Sequence, residues 1–169
     1  MTSLLPPVKP RPRDRYRIGI VDTTFARVDM AQVAIEEIRR LSARAEIVRR
    51  TVPGVKDTPA EARRLLDEGC DILMVFGWVS RSQIDKTCAH EACQALMLLR
   101  VFYGRHIVEV FVHEDEAEDE KALYQIAINR AREHAQNVVL LMERPHELTR
   151  FAGKGLRQGV PDVGPLRGE

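Results

Sequence analysis

Four short segments set reactive or aromatic side chains immediately after apolar runs. They are Asp22-Thr23-Thr24-Phe25-Ala26-Arg27, Thr51-Val52-Pro53-Gly54-Val55-Lys56-Asp57, Gly77-Trp78-Val79-Ser80-Arg81-Ser82 and His113-Glu114-Asp115-Glu116. Phe25 and the only tryptophan, Trp78, with a Pro-Gly turn and the cations Lys56 and Arg81, have the chemistry to stack a flat heterocycle and hydrogen-bond its rim. The plainer reading is that the two aromatics only fill space between loops, and the residue types alone leave both open.

Two histidines extend the set. His90 is expected in the first turns of a helix, where the macrodipole favours the neutral, base-competent imidazole. His113 precedes Glu114 and Asp115, whose charge favours its protonated form. His106 and His134 lie outside the cluster and read as structural. The run from His113 to Glu120 holds six carboxylates. It reads as a solvated loop that charges the start of a helix, with a divalent-ion site as the sharper alternative.

Other chemistries find no footing. Neither G-x-G-x-x-G nor G-x-x-x-x-G-K-[ST] occurs in these turns, and there is no G-x-S-x-G nucleophile elbow. His90-Glu91 lacks the second histidine of a zinc-binding H-E-x-x-H. Basic and acidic residues nearly cancel, 26 against 25, so no global field calls for nucleic acid or an anionic membrane as partner. No run approaches the length of a membrane span, and the N-terminal MTSLLPPVKPRPRDRY lacks the apolar core of a signal peptide. Three cysteines, Cys70, Cys88 and Cys93, without metal-type spacing fit reduced thiols and a cytoplasmic location.

The elements that must position these residues repeat one unit. RIGIVD (17–22), AEIVRRT (45–51), DILMVFG (71–77) and HIVEVFV (106–112) read as strands. The third is the most apolar, which predicts a central place with both faces covered. Helical spacing follows each strand: 29–41, a segment opening at a Thr58-Pro59-Ala60-Glu61 capping box, about 86–103 closed by Gly104, and 121–142 stopped by Pro145. Alternating strands and helices predict an α/β, three-layer, flavodoxin-like domain on a four-stranded parallel sheet. Its ligands would bind beyond the carboxyl ends of the strands. The expected organisation is a disordered proline-rich arm over 1–16, an α/β catalytic domain over 17–144, and an irregular tail over 145–169 that is disordered or docks on a neighbouring subunit.

The segments IVDTTFARVDMA, TVPGVKDTP, DKTCAHEA, EVFVHEDEA, RAREHAQNV and AGKGLRQG, in this order, resemble the archaeal-type riboflavin synthases, relatives of lumazine synthase. The resemblance spans about residues 17–165. It implies a lumazine-synthase-like fold, a homopentamer with active sites between adjacent subunits, and a dismutation of two 6,7-dimethyl-8-ribityllumazine molecules that needs no redox cofactor. By the same resemblance Phe25 stacks on the ring, with Thr24 and Ala26 offering backbone groups to its rim. Pro53, Gly54, Val55 and Lys56 contact the ribityl chain, and His90 transfers the proton. Lys56, Arg81 or Lys86 would stabilise a carbanion on the heterocycle. Lys86 and Trp78 would shape the second substrate position, and His113 belongs to the substrate-binding set. Magnesium is a possible companion. Lumazine synthase itself, which must bind a phosphate, and a non-catalytic flavin-binding module are the competing readings. The loop from Gly77 to Asp85 lacks the short Gly-Asp-Thr phosphate turn expected of the former.

Overall fold

A computed structural model describes residues 14–168 of the chain. Most of the expected N-terminal arm lies outside these residues, but its boundary moves. Tyr16 already belongs to the first strand, buried, with its hydroxyl donating to Glu143 at 2.9 Å. Four strands, β1 (Tyr16–Thr23), β2 (Ala45–Val52), β3 (Ile72–Val79) and β4 (Ile107–His113), form one parallel sheet in the order β2-β1-β3-β4. Every residue of β3 is buried, as its unbroken apolar run requires of an inner strand.

Among the described residues five helices accompany the sheet: α1 (Met30–Leu41), α2 (Thr58–Asp67), α3 (Gln83–Tyr103), α4 (Glu120–Glu143) and the short α5 (Pro145–Thr149). Alternation along the strands sorts the core into two layers. Ile18, Ile20, Met74, Phe76 and Trp78 pack with α1 and α4, whereas Val21, Leu73 and Val75 pack with α2 and Leu96 of α3. Gly77 faces the second layer, where the Phe111 ring of β4 lies across it; a Cβ there would sit 2.6 Å from that ring. Gly104 ends α3 in the left-handed conformation, φ +60°, as expected for a glycine C-cap.

Two expected local features differ. The capping box at Thr58 does not form, because a 3₁₀ turn at Val55–Asp57 runs straight into α2 and leaves Thr58 with helical backbone. Its buried hydroxyl donates back to the Val55 carbonyl at 2.6 Å, and Glu61 pairs with Arg50 at 2.8 Å instead. The third helix begins three residues earlier than expected, at Gln83. Beyond α5 the chain returns to its own α4. There the Gly159 amide donates to Glu133, and its carbonyl accepts from Arg130 at 3.3 Å.

Candidate active site

Strand order reverses between β1 and β3, and the loops beyond their carboxyl ends enclose a cleft of about 260 Å³. Phe25 forms one wall, half exposed at 49 %. The turn Pro53-Gly54-Val55-Lys56 forms another, and Trp78 the floor. The first turns of α3 add Asp85 and Cys88.

Local hydrogen bonds fix each wall. One guanidinium nitrogen of Arg49 reaches both Asp22, at 2.5 Å, and Asp29, at 2.8 Å, the two residues that flank the turn carrying Phe25. Asp22 also accepts from the Thr51 hydroxyl at 2.7 Å, and Asp29 caps α1 by accepting from the Gln32 amide at 3.0 Å. The Thr24 amide donates to the Val52 carbonyl at 2.9 Å and its hydroxyl to the Pro53 carbonyl at 3.3 Å, which ties the first turn to the second. Trp78 is buried, 2 % exposed, and its indole N–H donates to Glu114 at 2.8 Å. The floor therefore presents a fixed apolar surface with its polar edge turned towards the fourth loop.

The cleft brings together six of the residues expected at the site: Phe25, Pro53, Gly54, Val55, Lys56 and Trp78. Thr24 and Ala26 flank Phe25 without lining the cleft. Lys56 is held by Glu91 at 2.5 Å; this bond raises the lysine's proton affinity and lowers that of the glutamate, so both stay charged.

The remaining expected residues lie elsewhere in a single protomer. Arg81 donates to the Ala117 carbonyl at 2.9 Å, and Lys86 pairs with Asp115, so both side chains bind the loop after β4. The Lys86 ammonium is what draws the Asp115 carboxyl below its ordinary range. His113 ends β4, and its backbone amide donates to Glu116 at 2.9 Å. His90 is exposed and 3.2 Å from the Gln94 amide nitrogen, outside the cleft. It is the eighth residue of α3, beyond the first turn.

Most of the acidic run is engaged by protein groups. Glu114 takes Trp78 and Arg27, Asp115 takes Lys86, and Glu116 receives Arg130 through two 2.7 Å bonds. Asp119 caps α4, and Glu120 pairs with Arg27. Among the described residues no group of three or more histidines, cysteines or carboxylates is placed to hold a metal ion, and no helix is long and apolar enough to cross a membrane.

Asp57 also lines the cleft outside the expected set, and Asp85 and Cys88 are the wall residues of α3 that sequence reasoning missed. Their signal was present: 85, 88, 92 and 96 continue the inward stripe of α3, on which Ala89, Ala92 and Leu96 are buried. Starting the helix at Lys86 hid it by leaving Asp85 in the loop.

Comparison with known proteins agrees with this arrangement. Residues 15–146 match the family model described as 6,7-dimethyl-8-ribityllumazine synthase. A riboflavin synthase of Methanothermobacter marburgensis is 50 % identical over 151 residues, covering 89 % of this chain and 99 % of that protein. The riboflavin synthases of Aeropyrum pernix and Archaeoglobus fulgidus are 48 % and 46 % identical, again over 89 % of this chain and over 97 % and 98 % of their own lengths. With a family model covering the whole sheet and all its main helices, the chain belongs to the 6,7-dimethyl-8-ribityllumazine synthase family.

Proposed function

We propose that this protein is a riboflavin synthase, an enzyme of riboflavin biosynthesis and by reaction a transferase. It moves a four-carbon unit between two 6,7-dimethyl-8-ribityllumazine molecules, giving riboflavin and 5-amino-6-(ribitylamino)uracil. The observation that carries this reading is the 46–50 % identity to proteins named riboflavin synthase across 89 % of the chain. The electrons balance between the two substrates, so no redox cofactor is consumed.

The cleft supports the reading residue by residue. Phe25 stacks the ring, the Pro53–Lys56 turn meets the ribityl chain, and the Lys56 cation lies where charge on the heterocycle develops. Holding two identical molecules in antiparallel register supplies much of the acceleration, since effective molarity is worth roughly 7 to 11 kcal/mol. Against lumazine synthase stands the occupation of the groups that would hold a phosphate. One guanidinium nitrogen of Arg81 donates to the Ala117 carbonyl at 2.9 Å, which draws the side chain to the loop after β4, and the Ser82 amide donates to the Ser80 hydroxyl at 3.1 Å.

A cleft of about 260 Å³ falls below the roughly 300–1,000 Å³ usual for ligand sites, too small to enclose two lumazines. A second copy of the chain completes it. The outer face of α3 exposes Met97, Leu98, Val101 and Phe102, each more than half accessible, the kind of apolar strip that marks a subunit contact. His90 and Gln94 continue that strip at helical spacing, so His90 transfers protons at the contact between copies. The assembly is a homopentamer in the cytoplasm, without nucleic acid or membrane as partner.

The test is a pair of incubations, each run with and without magnesium. Lumazine alone should give riboflavin. Lumazine formation from the pyrimidinedione and a four-carbon sugar phosphate, with no riboflavin from lumazine alone, would instead identify a lumazine synthase. Flavin binding with both reactions silent would identify a carrier.

A further inference from the structure

The dismutation needs a base that removes a proton from the C7 methyl of one lumazine, and it must act inside the cleft where that ring is stacked. His90 faces away from the cleft of its own protomer, with Gln94 beside its ring. Four side chains with ionisable heads line the walls: Lys56, Asp57, Asp85 and Cys88. Lys56 is a cation paired with Glu91 and accepts nothing. Asp57 is exposed at the outer rim, at the end of the 3₁₀ turn. Cys88 is a free thiol that must lose its own proton before it can take another.

Asp85 differs from all three. It is half-buried in the first turn of α3, a rigid element rather than a loop. Its Oδ2 accepts from the Ser80 hydroxyl, whose oxygen in turn accepts from the Ser82 amide at 3.1 Å. This chain of bonds fixes the plane of the carboxylate, and Oδ1 receives no hydrogen bond from any described residue. The surrounding walls, Phe25, Val55 and Trp78, are apolar and keep bulk water from that free oxygen once a ring is stacked.

We propose, on the riboflavin synthase reading above, that Asp85 is the catalytic base of the dismutation. Oδ1 takes a proton from the C7 methyl of the lumazine stacked on Phe25, and the carboxylate becomes a carboxylic acid. The electron pair of the broken C–H bond stays on the heterocycle as a delocalised carbanion and adds to a ring carbon of a C=N bond in the second lumazine; the displaced π pair goes to that ring nitrogen, which takes up the proton given back by the Asp85 carboxylic acid. No oxidant, reductant or further reactant enters. Lys86, next in sequence and bound to Asp115, anchors this turn of α3 to the loop after β4.

The proton step can be read apart from riboflavin formation, by following loss of the C7 methyl signal of 6,7-dimethyl-8-ribityllumazine in D2O by NMR. The full-length protein should accelerate this exchange over buffer. Asp85→Asn, which keeps the shape and can still accept from Ser80, should lower the protein-catalysed exchange about 10²-fold or more, together with riboflavin formation. Binding of an unreactive lumazine analogue should stay within about threefold, which also reports that the cleft is intact. Asp85→Glu should recover part of the exchange, and His90→Ala should leave exchange standing while slowing riboflavin formation. Wild-type exchange in Asp85→Asn, or its loss in His90→Ala alone, overturns the proposal. Wild-type protein that neither exchanges the methyl nor makes riboflavin overturns the functional reading itself, a result distinguishable from the first two.

Discussion

Phe25 concentrates the argument at the scale of the residue. Its ring is half exposed at the mouth of a cleft, which is costly for a large apolar side chain unless something stacks there. Phe25→Ala is expected to weaken binding of an unreactive lumazine analogue by about 1 to 3 kcal/mol, roughly 5- to 150-fold. Fluorescence titration reads this directly, and unchanged affinity would place the ring elsewhere. The two aromatics, alike on residue types alone, differ in their surroundings. Phe25 is a wall, whereas Trp78 is a buried floor tied to Glu114. What remained illegible were pairings across distant loops. Nothing in the local sequence says that Arg81 will bind Ala117 or Lys86 bind Asp115, because these partners are 36 and 29 residues away and meet only once the sheet is built.

Among the elements, period and composition carried most of the fold. The apolar run of β3 and the alternation in β1 dictated an inner position and two core layers, and Gly104 dictated the end of α3. The start of α3 was obscured by the polar string Ser80-Arg81-Ser82-Gln83, which reads as a loop, although α3 already begins at Gln83 and the Ser80 hydroxyl donates to Asp85 in its first turn. Helix-to-helix fastening offers a test. Glu37 of α1 is buried, and hydrogen bonds from Arg40, supported by Gln136 of α4 at 3.0 Å, hold its carboxyl down to about 2. A carboxyl of an unfolded chain titrates near 4.3, so this depressed value stabilises the fold above that pH and the contribution is lost as pH falls towards 2. Wild-type protein should therefore exceed Glu37→Gln in urea midpoint at pH 6, and the gap should close as pH drops from about 4 to 2. A gap independent of pH would mean the ion pair contributes nothing.

At the scale of the whole molecule, α3 has two jobs: its inner stripe walls the cleft through Asp85 and Cys88, and its outer stripe exposes Met97, Leu98, Val101 and Phe102. A charge on the outer stripe should separate the jobs. Val101→Glu is expected to convert the proposed homopentamer of 19.2 kDa chains into smaller species in sedimentation, with the fold preserved and riboflavin formation lost. Monomeric wild-type protein with full activity would contradict a site completed by a second copy.

In the proposed reaction one substrate serves as both donor and acceptor. The measurement that bears on it most directly is the molar ratio of products when purified protein receives 6,7-dimethyl-8-ribityllumazine and nothing else. One riboflavin and one 5-amino-6-(ribitylamino)uracil are expected for every two lumazines consumed. Riboflavin absent, or formed without the pyrimidinedione, would contradict it.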